Sequence, residues 1–297
     1  MRVSLLAASG SCWAHGEEQR RGPADLPRPA SIDPSAWRRL SRLARLSAGA
    51  LSPLLAGVPT LDREEIPLFF GTGLGEFSSS YSFLHSLFTK GPAMASPLAF
   101  QNSVHNAAAG HLSIGFGLRG PSETLCAGPL TTLRAFERAM AAVLGSGQPA
   151  LVLLADDLSA EGLIGFRYAG ATGTLGEGAA AFLIGPESPG TAVLTLCSDA
   201  QRRSTADLTG DARDPSRPKH VTNLRGSELC GDHPELVASL RDERVTKLRG
   251  SELVHGLPEG MFYTADAQGM VTAFNKREAL DLDFLGTSEV LRLTVAP

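Results

Sequence analysis

The chain has 297 residues, of which 43% are hydrophobic and 20% charged, and its formal net charge is −4. These values are typical of a globular protein. They disfavour a nucleic-acid partner, because lysine and arginine do not gather in one long tract. Its cysteines, Cys12, Cys126, Cys197 and Cys230, are widely separated and lack metal-ligand spacing. We therefore expect free thiols in a reducing cytoplasm, with no metal and no cofactor.

The first residues are predicted to form a strand. Residues 3–8 are an apolar run of six, which is shorter than the about 7–15 residues of an export signal. No stretch is long and apolar enough to predict a membrane span. Residues 14–35 contain several glycines, prolines and charges, so we expect an exposed loop there.

Residues 35–51 are predicted to form an amphipathic helix. Apolar side chains recur at steps of three to five residues, and the arginines Arg38, Arg39, Arg42 and Arg45 lie between them. Such a run is typical of the solvated side of a helix, although the four arginines could also bind an acidic partner.

The next segment is predicted to be a buried strand, residues 66–70, followed by a glycine-rich turn at residues 71–76. The turn lacks the spacing of the dinucleotide and phosphate loops, so we interpret its glycines as a packing feature. Residues 77–88 are then predicted to form a helix with an aromatic face.

A sharp strand-to-helix turn is predicted near residue 128. Residues 106–111 start a helix of small residues, residues 117–122 form a loop, and residues 123–126 form a short strand. Gly128 and Pro129 follow, and then a strongly periodic helix over residues 130–144 that Gly145 ends. Many α/β enzymes hold a nucleophile at such a turn, because the helix N-terminus stabilises negative charge.

Alternating strands and helices up to about residue 196 predict a layered α/β fold with a covered sheet. Residues 150–155 form an apolar strand that ends at Asp156 and Asp157, and residues 175–184 a glycine turn and a second buried strand. The two aspartates are neighbours on a strand end, so we expect them to point apart as solvated charges.

The remainder of the chain has a different character. Residues 201–220 are predicted to be a linker, and a motif of the form VTxLRGSEL occurs at residues 221–229 and 245–253. We predict a hairpin over residues 261–274 and a last strand over residues 289–295. Residues 221–297 are thus expected to be a small, partly β appendage of unknown role.

The stretch NAAAGHLSIGFGLRGPS, residues 106–122, resembles the segment before the catalytic cysteine of the β-ketoacyl synthases, without a gap. The resemblance covers the N-terminal half of a condensing enzyme, and implies a thiolase-like α/β/α half-domain with a mixed sheet over residues 1–200. Carried forward residue by residue, the family's nucleophilic cysteine falls on Pro129, whose side chain cannot attack a thioester. Cys126, three residues earlier, remains an alternative nucleophile for an acyltransferase or hydrolase.

The family's two catalytic histidines come from its C-terminal half, where they support decarboxylation and the oxyanion. Here His255 and Gly256 keep two letters of the family's five-residue histidine motif, and no histidine follows them. His111 matches a structural histidine of the family. The resemblance therefore implies a protein that is inactive alone as a condensing enzyme.

Inactive relatives of this kind pair with an active ketosynthase as chain length factors, in aryl polyene and related polyketide or fatty-acid pathways. The resemblance implies a heterodimer of this kind, with acyl carrier protein as an indirect partner that the arginines of residues 35–51 could also bind. A non-catalytic scaffold is the other alternative. The partner and tunnel interface is expected to comprise two segments: Leu98, Ala99, Phe100, Gln101 and Asn102, and Glu123, Thr124, Leu125 and Cys126.

Overall fold

A computed structural model describes residues 1–13, 25–168, 176–198, 219–220, 265–277, 279–283 and 289–294. Its strands are β1 (Arg2–Trp13), β2 (Leu68–Gly71), β3 (Ser122–Leu125), β4 (Ala150–Asp156), β5 (Glu177–Gly185), β6 (Ala192–Ser198), β7 (Lys219–His220), β8 (Leu280–Asp283) and β9 (Glu289–Thr294). Its helices are α1 (Pro34–Arg39), α2 (Arg42–Gly57), α3 (Phe77–Lys90), α4 (Pro97–Gln101), α5 (Ala107–Phe116), α6 (Thr131–Ser146), α7 (Ala160–Tyr168) and α8 (Ala265–Lys276).

The strands form one mixed sheet in the order β3-β2-β4-β5-β1-β6-β9-β8-β7. β2 lies between β3 and β4 and is parallel to both. β5 is antiparallel to β4 and β1, and the strands from β1 to β8 continue antiparallel. The predicted mixed α/β sheet is therefore confirmed, with parallel pairs at both ends, β3-β2-β4 at one and β8-β7 at the other.

Helices cover both faces of the sheet. On one face α6 and α8 pack on Val152, Leu154 and Phe182, and Phe136 of α6 meets Phe182 edge-on at 5.2 Å between ring centroids. On the other face α2 and α5 pack on alternate residues such as Leu153 and Leu183. β4 and β5 are buried along their whole length, which explains why their sequences are continuous apolar runs.

The predicted helix over residues 35–51 is two helices. The chain is extended at Leu40 and Ser41, and Ser41 Oγ accepts a hydrogen bond from Ala44 N at 3.1 Å as the N-cap of α2. α2 continues to Gly57, and α6 ends before Gly147, which has φ of 70°, rather than at Gly145. None of the helices in the described ranges is long and apolar enough to cross a membrane.

The described C-terminal residues belong to the main sheet, so the prediction of a separate appendage is wrong for them. β9 pairs with β6 from Val193 opposite Thr294 to Ser198 opposite Glu289. Leu282 and Leu293 lie in the same core as α6. The predicted strand at residues 289–295 is confirmed as β9.

The hairpin predicted over residues 261–274 is also wrong. Over its described residues, from 265 onward, the structure has α8, because Met270, Val271 and Phe274 fall on one helical face that packs on the sheet. The repeated VTxLRGSEL motif lies outside the described residues. So does the predicted linker, apart from the two residues of β7, which pair with β8.

Candidate functional site

Three strand ends meet at one edge of the sheet. Because β3, β2 and β4 are parallel, their carboxyl ends lie side by side, with Gly71 opposite both Leu125 and Leu154. The chain leaves these ends at Cys126, at Thr72 and at Asp157. This edge is the usual place for a site in a sheet of this kind.

The turn after β3 is tightly held and is occupied by Pro129. Gly128 has φ of 54°, a conformation that favours glycine. Thr131 Oγ1 donates to the carbonyl of Gly128 at 2.8 Å and accepts from Ala127 N at 3.0 Å. Pro129 is exposed in a single helical turn before α6. It offers neither a nucleophilic atom nor a backbone N–H to a ligand at this turn.

Cys126 lies just after β3 rather than inside it, and its thiol is exposed. Its Sγ lies 3.6 Å from the carbonyl oxygen of Gly73, to which it donates a weak hydrogen bond. Partial burial and then the negative charge of Asp156 raise the pKa of this thiol, against the effect of a backbone hydrogen bond at Gly128. The surroundings therefore favour the thiol over the thiolate that a nucleophile requires.

The prediction that Asp156 and Asp157 are solvated is wrong, since they are 0% and 3% exposed. Asp156 Oδ1 accepts hydrogen bonds from Thr72 Oγ1 at 3.0 Å, Gly73 N at 2.8 Å and Leu74 N at 3.1 Å. Asp156 thus holds the glycine-rich turn after β2 in place. The side chain of Asp157 instead contacts α3, where it accepts a hydrogen bond from Ser78 Oγ.

Glu76, which ends the glycine-rich turn, is buried at 2% exposure. Its carboxylate accepts hydrogen bonds from Ser41 Oγ at 2.6 Å and Ser79 Oγ at 2.9 Å. Burial, together with the negative charge of Asp157, raises the pKa of Glu76 to about 7, although the two hydroxyl donors act in the opposite direction.

A buried ion pair lies beside these acids. Arg42 Nε donates to Glu177 Oε2 at 2.9 Å, a second guanidinium nitrogen contacts Glu177 Oε1, and Leu158 N donates to Glu177 Oε2 at 3.2 Å. The side chain of Glu177 is 0% exposed and that of Arg42 15%. The prediction that the arginine face is solvated is therefore wrong for Arg42, whereas Arg38 and Arg39 are exposed.

His111 makes structural contacts in α5. Its Nε2 lies 3.0 Å from Asn102 Oδ1, and Asn102 Nδ2 donates to the carbonyl of Arg39 at 2.9 Å. Burial and the positive charge of Arg39 lower the pKa of His111. Asn102 is 6% exposed, so it positions α4 from inside the chain and is not available as an interface side chain.

The other predicted interface residues lie on two surfaces. On α4, Leu98 and Phe100 are 39% and 59% exposed, Gln101 is exposed and Ala99 is half-buried. β3 is the last strand of the described sheet, and its residues Glu123, Thr124 and Leu125 are half-buried.

A family model, the β-ketoacyl synthase N-terminal domain, matches residues 11–223, well over half of the chain. The chain belongs to the β-ketoacyl synthase family. The match runs beyond the predicted domain end at residue 200, and Pro129 and Cys126 both lie inside it.

Two solved structures are similar to this family member. The ketosynthase ApeO in complex with its chain length factor ApeC, from Xenorhabdus doucetiae, matches with a TM-score of 0.51 at 16% identity, over 71% of this chain and 93% of that one. The AntDE:AntF complex, a type II polyketide acyl-carrier protein with its ketosynthase bound to the hexaketide, matches with a TM-score of 0.67 at 13% identity, over 99% of both chains. The predicted thiolase-like fold is thereby confirmed. A comparison with curated proteins finds no match.

The buried acids Glu76 and Glu177 were missed by sequence reasoning. Glu177 had a detectable signal, since it is the single charge at the start of an otherwise apolar strand. Glu76 follows a glycine-rich turn and precedes a serine-rich helix, a context in which exposed glutamates are common. Within the described ranges, no group of three or more histidine, cysteine or acidic side chains is arranged to hold a metal.

Proposed function

We propose that this chain is a catalytically degenerate ketosynthase-like protein that pairs with an active ketosynthase, in the manner of a chain length factor. The observation that carries the proposal is Pro129 at the turn where the family resemblance puts the nucleophilic cysteine. The turn is otherwise well formed, with Thr131 bonded to both of its sides. An intact frame without a nucleophile favours a binding role over an independent catalytic one.

A polyketide or fatty-acid pathway, such as aryl polyene synthesis, is the proposed setting. The ApeO and ApeC structure supports this, because a chain of that complex between a ketosynthase and its chain length factor has a similar fold. We expect the pair to work in the cytoplasm and to receive acyl carrier protein through its active subunit. Arg38 and Arg39 remain exposed for such a contact.

The proposed interface consists of β3 and α4. β3 is a terminal strand of the described sheet, and such an edge can pair with a strand of another chain. On α4, Leu98 and Phe100 are exposed, and Met94 and Val104 nearby are 63% and 50% exposed. Large apolar side chains that collect on a surface in this way mark a partner site.

The purified chain is expected to take up no acyl group from acyl carrier protein and to condense no malonyl thioester. The reason is Pro129, together with the raised pKa of the Cys126 thiol. Intact-mass spectrometry after incubation with acylated carrier protein measures uptake. Pro129→Cys should not gain turnover, because the 297 residues hold no match to the family's second catalytic histidine.

Cys126→Ser is the matched control for this assay. A stable acyl adduct on the wild-type chain that disappears in Cys126→Ser would contradict the proposal and favour an acyltransferase or hydrolase that uses Cys126. Absence of an adduct in both proteins is the expected result.

Phe100→Ala is expected to lengthen or broaden the product distribution of the heterodimer, and Phe100→Trp to shorten it. The Phe100 ring packs on Phe83 with 5.3 Å between centroids and leaves 59% of the residue exposed, so it can enter a partner's tunnel. Co-expression with an active ketosynthase, followed by size-exclusion chromatography and product analysis, tests this.

Phe88→Ala provides the control, because Phe88 is an exposed aromatic residue outside the proposed segment. Unchanged product lengths in both Phe100 variants would remove Phe100 from the tunnel. Failure of the wild-type chains to co-elute at micromolar concentration would contradict the heterodimer and favour the scaffold alternative.

A further inference from the structure

The first turn of α3 is attached to the domain through two buried carboxylates. Glu76 accepts hydrogen bonds from Ser41, which is also the N-cap of α2, and from Ser79 of α3. Asp157, at the end of β4, accepts a hydrogen bond from Ser78 of α3. Both carboxylates are almost completely buried. The hydroxyl groups of Ser41, Ser78 and Ser79, bonded to these carboxylates, thus join the starts of α2 and α3.

Several acidic side chains lie close together at this joint. Arg42 is bonded to Glu177, and the negative charge of Asp157 also acts on it, so one guanidinium faces two carboxylates. Glu76 is a third acid, and the negative charge of Asp157 acts on it. Two like charges that are close together and buried disfavour their common ionisation.

Two further titratable side chains flank the joint. Asp156 accepts hydrogen bonds from the backbone amides of Gly73 and Leu74, in the turn before Glu76. The ring of His105 lies against Gly75, where a Cβ would come within 2.0 Å of its Nδ1. His105 is exposed, whereas Glu76, Asp156 and Asp157 are buried.

We propose that the joint between α2 and α3 is a proton-dependent latch, which holds the first turn of α3 while Glu76 carries a proton and releases it when Glu76 and Asp157 are both ionised. The release lets water reach the two carboxylates. α3 has no buried residue of its own, and it presents Tyr81, Leu84 and Phe88 to solvent. Farther along, α3 is held by Ser80, whose Oγ donates to the carbonyl of Ser103 at 3.1 Å, and by Phe83, whose ring packs on Phe100. The joint therefore fixes its first turn.

The direction of the pH effect follows from the two protonation states. In the latched form, the pKa of Glu76 is about 7, against an ordinary value of 4.5 once the turn opens. Between these values the latched form binds more protons, so the equilibrium moves toward opening as the pH rises. Above the latched pKa, the effect levels off.

Hydrogen exchange on the full chain tests the latch. Backbone amides of α3 are followed between pH 6 and 8.5, as protection factors corrected for intrinsic exchange, with α5 as the internal reference. The protection factors of wild-type α3 are expected to fall about tenfold over this range. The change comes mainly between pH 6 and the latched pKa of about 7, and one pH unit there corresponds to a tenfold change in the equilibrium. Glu76→Gln, which carries no charge, is expected to keep its protection constant.

Glu65→Gln is the matched control, because Glu65 is exposed in the preceding loop and should leave the wild-type profile unchanged. Constant protection of α3 in the wild type, or an equal loss in Glu76→Gln, would overturn the latch. If Glu76→Gln does not fold, Ser79→Ala decides. Ser79→Ala removes a hydroxyl donor that favours the ionised form of Glu76, so the loss of protection should extend to higher pH. An unshifted profile would reject the proposal. Neither outcome depends on a ketosynthase partner.

Discussion

A chain truncated after Ser198 is expected to lose cooperative unfolding and to precipitate. β9 pairs with β6 over six residue pairs, and its removal leaves β6 as a bare sheet edge. Met270, Leu291 and Leu293 are each 1% exposed. These side chains fill the core beside α6, so the first domain is incomplete without them.

The size of this effect follows from the apolar area that is lost. Each large apolar side chain that moves from the core to water costs about 1.5–3 kcal/mol, and the truncation removes several of them. The free energy of unfolding of a whole domain is only about 5–15 kcal/mol. Circular dichroism melting and solubility measure the outcome.

Single substitutions separate this packing effect from other consequences of truncation. Leu293→Ala should lower the free energy of unfolding by about 2–5 kcal/mol, because it creates a cavity in the core. Leu144→Ala is the matched control, since Leu144 is 54% exposed on α6 and should change stability by less than about 0.5 kcal/mol. A soluble truncated chain with a sharp melting transition would instead mean that residues 1–198 fold independently.

The central part of the fold could be predicted from local pattern. β4 and β5 are buried on both faces, so their sequences are uninterrupted apolar runs that predict strands directly. α6 has a clear apolar stripe ending near glycine, and α3 was predicted over nearly its full length. The local pattern also gave the turn after β3, and the family resemblance placed the nucleophile position within that turn, at Pro129.

The C-terminal elements could not be placed from local pattern because their partners are distant in sequence. β9 is a short strand whose neighbour β6 precedes it by most of the C-terminal third of the chain. Nothing in residues 289–294 alone distinguishes a strand of the main sheet from one in a separate unit. Long-range pairing determines that choice, and a single sequence does not reveal it.

The prediction of the site was wrong for the residues whose surroundings come from other elements of the fold. Alternation along a strand predicts that Asp156 and Asp157 point apart, which is correct as far as it goes. Each side chain, however, finds its own donors, at the turn after β2 and on α3. Burial of both acids therefore depends on how the loops fold over the strand ends, and strand periodicity does not describe that.

Arg42→Met is expected to lower the free energy of unfolding by about 3–5 kcal/mol, because it leaves the carboxylate of Glu177 buried without its cation. Glu177 is 0% exposed, and it also accepts a hydrogen bond from Leu158 N at 3.2 Å. For a domain of this size the melting temperature should fall by about 10 °C. Chemical denaturation and thermal melting measure the two quantities.

Two variants show whether the unpaired charge causes the loss. Arg42→Met combined with Glu177→Leu should recover part of it, because the buried charge is gone while the amide of Leu158 still lacks an acceptor. Arg119→Met breaks the exposed pair with Glu64, whose side chains are 73% and 64% exposed, so it should cost less than about 1 kcal/mol. If Arg42→Met is as mild as Arg119→Met, Glu177 must reach water or take up a proton, and the buried pair then contributes little to the fold.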